Sequence, residues 1–289
     1  MRLLSIAMLV AICCQLFSQT YEDEFKTRAN LIIRYTAEIY PRGNNGDCPS
    51  GCKGDLSDFG KYNYPKILAA YTYYSADDST QAQKMKARLD VYATKPSFHF
   101  NNLALPRLLH TFPNAPGVKE NQVEFIKRVF ERTDSYNAWT TEGTENHVNM
   151  SRLPGYLFAQ FALENYPDSF PLAQQRLNEM KEWIEYYSKR AFETGTGEWN
   201  STTYGAYNIL PWINIYDFAQ DDTVKSMARA ILDYYACELA VHYSQALTGG
   251  PDMRGNQNTQ SFKGICSLPG MAMVWQQPFC HQHQQHRQW

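Results

Sequence analysis

The sequence predicts an all-α protein built from helical hairpins. Apolar residues recur at spacings of three and four positions, the period of a helix with one buried face, in nine segments. Turn sequences rich in Pro, Gly, Asn and Asp separate these segments, and no run of alternating apolar and polar residues replaces them before residue 245. We therefore expect little strand up to that residue. The nine segments are 25–40, 64–74, 82–92, 103–111, 123–133, 148–166, 173–191, 207–219 and 224–243.

Turn sequences mark the boundaries between the helical segments. The first segment ends at Pro-Arg-Gly-Asn-Asn-Gly over 41–46, a sequence that does not continue a helix. Asp-Asp-Ser joins the second and third segments, Pro-Asn-Ala-Pro-Gly joins the fourth and fifth, and Pro-Asp, Gly-Thr-Gly and Asp-Asp separate the last four. An Asp carboxylate accepts hydrogen bonds from the unpaired amides of a first helical turn. We expect such N-caps at Asp78, Asp168 and Asp221.

The two ends of the sequence differ from its helical part. Arg2 precedes a predominantly apolar run over 3–16, which is typical of a secretory signal peptide, here expected over 1–19. We therefore expect a secreted or periplasmic protein that has no membrane association after signal cleavage. The helical domain is expected over 20–262. An irregular tail rich in His and Gln follows over 263–289, and one interpretation treats this tail as non-native sequence.

The composition of the 289 residues excludes some classes of function. A formal net charge of −2 argues against binding to nucleic acid or to an anionic membrane surface. A protein of this charge still binds an acidic polymer when its cleft is locally basic. Aromatic residues make up 14% of the chain, with 20 Tyr and 6 Trp, which fits either a large helical core or stacking on sugar rings.

The cysteines indicate a disulfide and not a metal site. Cys48 and Cys52 lie in a loop rich in Gly, Asn and Pro, where they can close a small disulfide in an oxidising compartment. No second pair of Cys or His is spaced to complete a zinc site, so we expect no metal and no cofactor. Cys237 lies in an apolar helical segment, and we expect it in the core.

Five linkers between helical segments are rich in polar and aromatic residues: 58–64, 98–102, 145–147, 198–207 and 249–255. About one helical hairpin separates each from the next, so in a stack of hairpins they emerge on the same side. We therefore expect them to line one groove that binds a polymeric ligand. The expected substrate-binding residues are Lys61, Tyr62, His99, Asn102, Glu145, Arg152, Trp199, Asn200, Tyr207 and Arg254.

Two of these linkers carry the groups that β-elimination of a uronic-acid polymer requires. At a helix start, Asn146 can donate hydrogen bonds to a carboxylate, and His147 can accept a proton near neutral pH. Tyr204 can donate or take a proton through its phenol. Arg152 or Arg254 can neutralise a uronate carboxylate by a bidentate contact. The neutralised carboxylate acidifies the C5 proton, a base removes it, and an acid protonates the leaving glycosidic oxygen.

Structural interpretations of the same residues remain open. The segment 145–147 can be an N-capping arrangement with an exposed histidine. Tyr204 and Tyr207 are three positions apart, on one helix face, and both can belong to the core. Glu198 can be a surface acid beside the anchoring indole of Trp199.

The helical hairpin pattern, Thr-Glu-Asn-His at 144–147 and Gly-Glu-Trp-Asn-Ser-Thr-Thr-Tyr at 197–204 resemble the (α/α)-toroid polysaccharide lyases and their secreted relatives. The resemblance covers roughly residues 55–255. It implies a toroid or incomplete toroid of helical hairpins. It also implies that Asn146 neutralises the substrate carboxylate, that His147 is the base, and that Tyr204 is the acid or combines both roles. The chain has fewer hairpins than these lyases usually have, and no Tyr-Arg pair closely follows His147.

Three hypotheses about function follow. The first is a secreted polysaccharide lyase acting on an anionic uronic-acid polymer such as alginate, ulvan or a glycosaminoglycan. The second is a glycoside hydrolase on the same scaffold, with Glu145 and Glu198 as acid and base, because paired carboxylates flank the scissile bond in such enzymes. The third is a non-catalytic glycan-binding protein with an aromatic groove. We favour the first, with Asn146, His147, Tyr204 and Glu198 as the candidate catalytic residues.

Overall fold

A computed structural model describes the protein over residues 22–38, 56–76, 78–95, 99–198, 201, 204–244 and 247–248. Within these residues the chain is all-α, as predicted, with one antiparallel pair of two-residue strands, β1 (Tyr243–Ser244) and β2 (Leu247–Thr248). The helices are α1 (22–38), α2 (Leu56–Tyr74), α3 (Ser79–Ala93), a 3-10 helix (Asn101–Leu103), α4 (Leu105–Thr111), α5 (Val118–Phe130), α6 (Glu145–Asn165), α7 (Ala173–Thr194), α8 (Gly205–Phe218) and α9 (Asp222–His242).

Each predicted helical segment corresponds to one helix. The largest differences are at the starts of α2, which begins at Leu56 and not at residue 64, and of α5. Helix α5 begins at Val118, whereas the apolar period begins at residue 123. The residues at 119–121 are polar, so the period is not visible in the first turn. The Glu120 carboxylate accepts a hydrogen bond from the Gly117 amide at 2.5 Å, which satisfies an amide at the helix start.

The helices form two layers. The even-numbered helices contact one another: α2 packs on α4, α4 on α6 and α8, and α6 on α8. The odd-numbered helices form the second layer through contacts of α3 with α5 and of α7 with α9. Hairpin partners join the layers, as in α2 with α3, α6 with α7 and α8 with α9.

Helices α6 and α8 run in the same direction. Near their first turns the amide of Asn149 donates to Asn208 Oδ1 at 3.0 Å. Near their last turns the Gln160 amide donates to the carbonyl of Phe218 at 3.0 Å. Helix α7 returns between them, so its C-terminus lies at the same end as the N-termini of α6 and α8.

Helix α6 is central to the core. Of its 21 residues 14 are buried, whereas only 5 of the 22 residues of α7 are, and those follow one stripe. Leu153, Leu157 and Phe158 of α6 are completely inaccessible. Fully burying such a side chain contributes about 1.5–3 kcal/mol, so α6 is a main source of the stability of the domain.

Even-numbered helices carry prolines in their interiors, Pro65 in α2, Pro154 in α6 and Pro211 in α8. A proline removes one backbone hydrogen bond and bends a helix. Gly155, directly after Pro154, faces the loop before α6, where an added Cβ would lie 3.0 Å from the carbonyl of Ala138. The absence of a side chain therefore lets this loop lie against the helix it precedes.

Two of the three predicted N-caps are confirmed. Asp78 accepts a hydrogen bond from the amide of Gln81 at 2.8 Å, and Asp221 accepts one from the amide of Thr223 at 2.9 Å. The prediction for Asp168 is wrong. Helix α7 begins only at Ala173, because residues 167–172 form turns first.

The prediction that Cys237 lies in the core is also wrong, because its side chain is exposed. The buried stripe of α9 runs through Val224, Ala228, Ile231 and Tyr235. A residue two positions after Tyr235 points to the opposite side of the helix.

Several predictions concern residues outside the described part of the chain. These are the signal peptide over 1–19, the disulfide between Cys48 and Cys52, and the tail over 263–289. Among the helices that are described, none combines the length and apolar character needed to cross a bilayer.

Replacing Gly117 by Ala is expected to lower the free energy of unfolding by about 2 kcal/mol. Gly117 has a φ of +83°, and an added Cβ would lie 2.6 Å from Lys86 Cα. Urea denaturation measures the change. Gly205→Ala is the control, because no atom lies within 4 Å of its added Cβ and its φ is ordinary. Equal stability of the two variants would contradict the assignment of strain to Gly117.

Stability is expected to fall between about pH 6.5 and pH 4, in part because of His110. Its ring stacks on Phe218 at 5.0 Å, and burial lowers the pKa of His110 to about 4. In that pH range the unfolded chain binds a proton that the folded chain does not, so acid favours unfolding. His110→Phe should reduce the loss of unfolding free energy between pH 7 and pH 5, measured in urea. If the variant shows the same pH dependence of the free energy of unfolding as the parent protein, this explanation is wrong.

Candidate functional site

Three of the five linkers meet at one end of the helices. The ring of Phe100, from the segment before the 3-10 helix, lies 6.2 Å from the ring of His147 and 5.2 Å from that of Tyr207. The backbone amide of Asn146 donates to Glu198 Oε2 at 2.9 Å. The candidate site is therefore formed by the starts of α6 and α8, the end of α7 and the segment around the 3-10 helix.

Each carboxylate of Glu145 and Glu198 accepts a hydrogen bond from a backbone amide at, or next to, the other residue. We call this pair the carboxylate latch. Glu198 Oε2 accepts hydrogen bonds from the Asn146 amide at 2.9 Å and from Asn208 Nδ2 at 3.2 Å. Glu145 Oε2 accepts one from the Glu198 amide at 2.8 Å. The latch ties the start of α6 to the linker between α7 and α8.

The latch replaces a local N-cap. The N-cap residue of α6 is Thr144, whose side chain makes no capping hydrogen bond and instead bonds Asn146 Oδ1 at 2.8 Å. A helix start carries partial positive charge and unpaired amides, both of which a carboxylate satisfies. Glu198, 52 residues later, supplies that carboxylate, and it is only 6% exposed. The first turn of α6 is therefore stabilised by a distant part of the chain.

A buried polar network extends the latch across three helices. The hydroxyl of Tyr187 donates to Glu145 Oε1 at 2.6 Å. Asn149 Nδ2 lies 3.3 Å from that hydroxyl and 3.0 Å from Asn208 Oδ1. Burial, and then the nearby charge of Glu145, raise the pKa of Tyr187, so its hydroxyl keeps the proton that it donates. The network fixes α6, α7 and α8 relative to one another at the site.

On another side of the α6 start lies a group that we call the histidine cluster: His99, Phe100, Tyr136, His147 and Tyr207. The ring of His99 stacks on Tyr136 at 4.6 Å and meets the ring of His147 edge-on at 4.8 Å. The rings of Tyr136 and His147 are 5.4 Å apart. Residues from four separate segments therefore surround one imidazole pair.

The cluster reaches the surface on one side. His99 is buried, His147 is half-buried and Tyr136 is exposed. The guanidinium of Arg132 lies 5.7 Å from the Tyr136 ring and binds both carboxylate oxygens of Asp134, at 2.7 and 3.0 Å. Arg132 also lowers the pKa of Asp134. A charged pair thus borders an imidazole, the side chain best suited to proton transfer near neutral pH.

A cavity of about 520 Å³, which we call the α6–α7 cleft, opens beside the latch. It lies between the start of α6, the second half of α7 and the loop 195–198. Arg190 Nη1 donates to the hydroxyl of Tyr186 at 3.1 Å on its wall. Its aromatic and charged lining residues are Glu145, Trp183, Tyr186, Tyr187, Arg190 and Glu198.

Sequence analysis missed Trp183, Tyr186 and Arg190. They lie on the amphipathic helix α7, whose pattern indicated only a helix packed on a core. A signal was present: these aromatic and basic residues recur at spacings of three and four just before the Gly-Thr-Gly turn at 195–197. That spacing places them on one helix face, at the end where the linker begins.

Arg152, a predicted substrate-binding residue, contacts two other parts of the protein. Its Nε donates to the carbonyl of Thr141 at 3.0 Å, and its guanidinium lies 5.4 Å from the Trp183 ring. Burial lowers the pKa of Arg152. The side chain therefore connects the loop before α6 to the wall of the cleft.

The structure places the other predicted residues differently. Asn146 is completely buried and Asn102 nearly so. Tyr204 is the half-buried N-cap residue of α8, one turn before Tyr207, and its amide donates to Ser201 Oγ at 3.1 Å. The side chains of Lys61 and Tyr62 lie outside those that the structure describes. Trp199, Asn200 and Arg254 lie outside the described residues altogether.

In the described part of the chain, no group of three or more His, Cys, Asp or Glu side chains is arranged to hold a metal ion. Comparisons with protein-family models, with curated proteins and with solved structures found no match to this chain.

Glu198→Ala is expected to lower the free energy of unfolding by about 2 kcal/mol, because it leaves buried amides of Asn146 and Asn208 without their acceptor. Hydrogen exchange should accelerate most in the first turn of α6, since that turn loses its cap. Exchange measured by mass spectrometry, together with urea denaturation, checks both effects.

Glu193→Ala is the matched control. Glu193 is exposed on α7, and its only described ion pair, with Lys189 at 3.9 Å, is solvent-accessible, so the loss should stay below about 0.5 kcal/mol. A Glu198 variant that resembles this control in both measurements would show that the latch does not stabilise α6.

Proposed function

We propose that this protein is a polysaccharide lyase that cleaves a uronic-acid-containing polymer by β-elimination. The observation that carries the proposal is the histidine cluster, in which His147, His99 and Tyr207 from three separate linkers come together at the start of α6, whose other side lines an open, aromatic-walled cleft. Proton abstraction needs a base of this kind at a surface that a polymer can reach. The proposal includes action outside the cytoplasm, secreted or periplasmic, as residues 1–19 lead us to expect.

The proposed scaffold is an incomplete (α/α) toroid. Helices α2 to α9 make four hairpins, and the even-numbered members contact one another in one layer. The parallel course of α6 and α8 supports this arrangement, because the inner helices of a toroid all run the same way. Their N-terminal ends carry the site, which is where linkers on one face would place it.

In the proposed reaction the imidazole of His147 removes the C5 proton of a uronate ring. The electrons of the C5–H bond form a C4–C5 double bond, the C4–O bond breaks, and the leaving oxygen takes a proton. Tyr204, one turn from the cluster residue Tyr207, is the proposed acid. Asn146 is buried, so we assign neutralisation of the substrate carboxylate to Arg132 at the edge of the cluster, where the substrate would replace Asp134 as its partner.

The geometry favours elimination over hydrolysis. A hydrolase built on Glu145 and Glu198 needs one carboxyl group to protonate the leaving oxygen and the other to act as base or nucleophile. In the latch both carboxylates accept hydrogen bonds from backbone amides and from neighbouring side chains. They hold the start of α6 together, and His147 is the residue that faces the aromatic cluster.

Glycan binding without catalysis is the second candidate. A specific feature favours it: Tyr186 is 59% exposed on the wall of a cleft that also contains Trp183. Exposed aromatic faces of this kind stack on sugar rings whether or not a bond is broken. In that case the histidine cluster has only a structural role.

Ultraviolet absorbance on a panel of uronic-acid-containing polymers, both homopolymers and heteropolymers, tests the lyase proposal, because elimination creates a double bond conjugated to the carboxylate. His147→Ala and Tyr204→Phe should each lower the rate by about 10²–10⁴-fold, since each removes a proton-transfer group. Tyr216→Phe, an exposed tyrosine near the other end of α8, should leave the rate unchanged.

Circular dichroism of each variant confirms that the fold is intact. If no uronic-acid-containing polymer of the panel gives rising absorbance, or if both active-site variants keep full activity, the lyase proposal is overturned. Glycan binding in the absence of any absorbance change would favour the second candidate.

A further inference from the structure

We infer that the α6–α7 cleft binds an uncharged sugar ring of the glycan, beside the charged ring that the histidine cluster would act on. The inference rests on the proposed glycan ligand but not on the elimination chemistry. The cleft and the cluster flank the same first turn of α6, to which Glu145 and His147 both belong. A chain of linked sugars that crosses the start of α6 would contact both.

The size and lining of the cleft suit a sugar. Its volume of about 520 Å³ falls within the range of small-molecule sites, and such sites combine aromatic walls with a few polar groups. Trp183 and Tyr186 are one helical turn apart on α7, so their rings line the same wall. The C–H groups of a pyranose face carry partial positive charge and pack favourably on the negative face of an aromatic ring.

The polar groups of the cleft match hydroxyl groups. Carboxylates accept hydrogen bonds and cannot donate them, and each oxygen can accept more than one. Glu145 lines the cleft, and its Oε2 accepts one described bond, from the Glu198 amide at 2.8 Å. A sugar hydroxyl can donate a second bond to this oxygen, and Arg190 on the opposite helix can donate to sugar oxygens.

The charges of the cleft oppose a uronate. The charged residues among its described lining are two carboxylates, Glu145 and Glu198, and one guanidinium, Arg190. A uronate carboxylate brings a third negative charge and no proton to donate, so it is repelled where a neutral ring is accepted. Arg152 does not offset this, because its guanidinium is directed at the Trp183 ring and the Thr141 carbonyl.

This division of charge specifies the substrate class. A polymer that places a neutral ring in the cleft and a uronate at the histidine cluster contains both kinds of sugar. The preferred substrate is then a heteropolymer in which uronic acid is linked to neutral or N-acetylated sugars, and not a homopolymer of uronic acid.

Calorimetric titration of the full-length protein with three tetrasaccharides tests the inference. Two are neutral, of β-1,4-linked glucose and of β-1,4-linked N-acetylglucosamine, and one is charged, of β-1,4-linked mannuronate. At least one neutral tetrasaccharide should bind the parent protein. Tyr186→Ala should raise its Kd about tenfold or more, because this exposed ring can be truncated without opening the core. Tyr216→Ala, an exposed tyrosine on α8, should bind like the parent.

The inference is overturned if neither neutral tetrasaccharide binds, or if Tyr186→Ala binds them as the parent does. It is also overturned if Tyr186→Ala weakens binding of the mannuronate tetrasaccharide to the same extent, because the cleft would then accept a charged ring. A failure of the lyase proposal can be distinguished from a failure of this inference. A protein that binds a neutral tetrasaccharide through Tyr186 but never produces unsaturated product keeps this inference and loses the elimination chemistry.

Discussion

The hydrogen bond from the Asn146 amide to the Glu198 carboxylate is the interaction on which the rest of the site depends. Helix α6 begins without a side-chain cap of its own, and its first amides need an acceptor. The acceptor comes from the linker that follows α7. The position of His147, the shape of the α6–α7 cleft and the entry into α8 are therefore determined together.

The latch also explains how so many polar side chains are buried at one end of a helical protein. Burying a polar group is costly unless it is hydrogen-bonded. Asn149 donates to Asn208, Asn208 donates to Glu198, and Tyr187 donates to Glu145. Each bond joins two different helices or a helix and a linker, so the network makes the linkers at this end of the helices more rigid. A rigid support of this kind is what a positioned imidazole requires.

The two ends of the helical layers differ in their contacts and in the side chains that they carry. At the end opposite the site, Gln160 bonds the carbonyl of Phe218 and the amide of Gln220, and Lys181 pairs with Asp221. These contacts close short connections. At the site end, the longer linkers carry imidazole, phenol and carboxylate groups. The hydrophobic centre of α6 separates the two, so changes in the site linkers need not disturb the core.

Several features followed from the sequence alone. Apolar periods of three and four residues located each α-helix of the described chain, because the buried stripe of a helix appears in the sequence as that period. The alternation of plain and functional linkers indicated which segments would meet, and three of them do. The starts of α2 and α5 and the cap of α7 were misplaced, because polar first turns and turn-rich connections carry no apolar period.

What the tertiary structure decided is the role of each functional group. Glu198 and Glu145 look in sequence like an acid–base pair. In the folded chain Glu198 accepts an amide of the α6 start, 52 residues away, and Glu145 accepts the amide of Glu198, 53 residues away. The wall of the cleft comes from α7, where sequence analysis expected only packing. The sequence determined which groups are available and on which elements they lie. Only the packing of α6, α7 and α8 against one another decided which of them face each other, because contacts between distant segments leave no periodic trace in the chain.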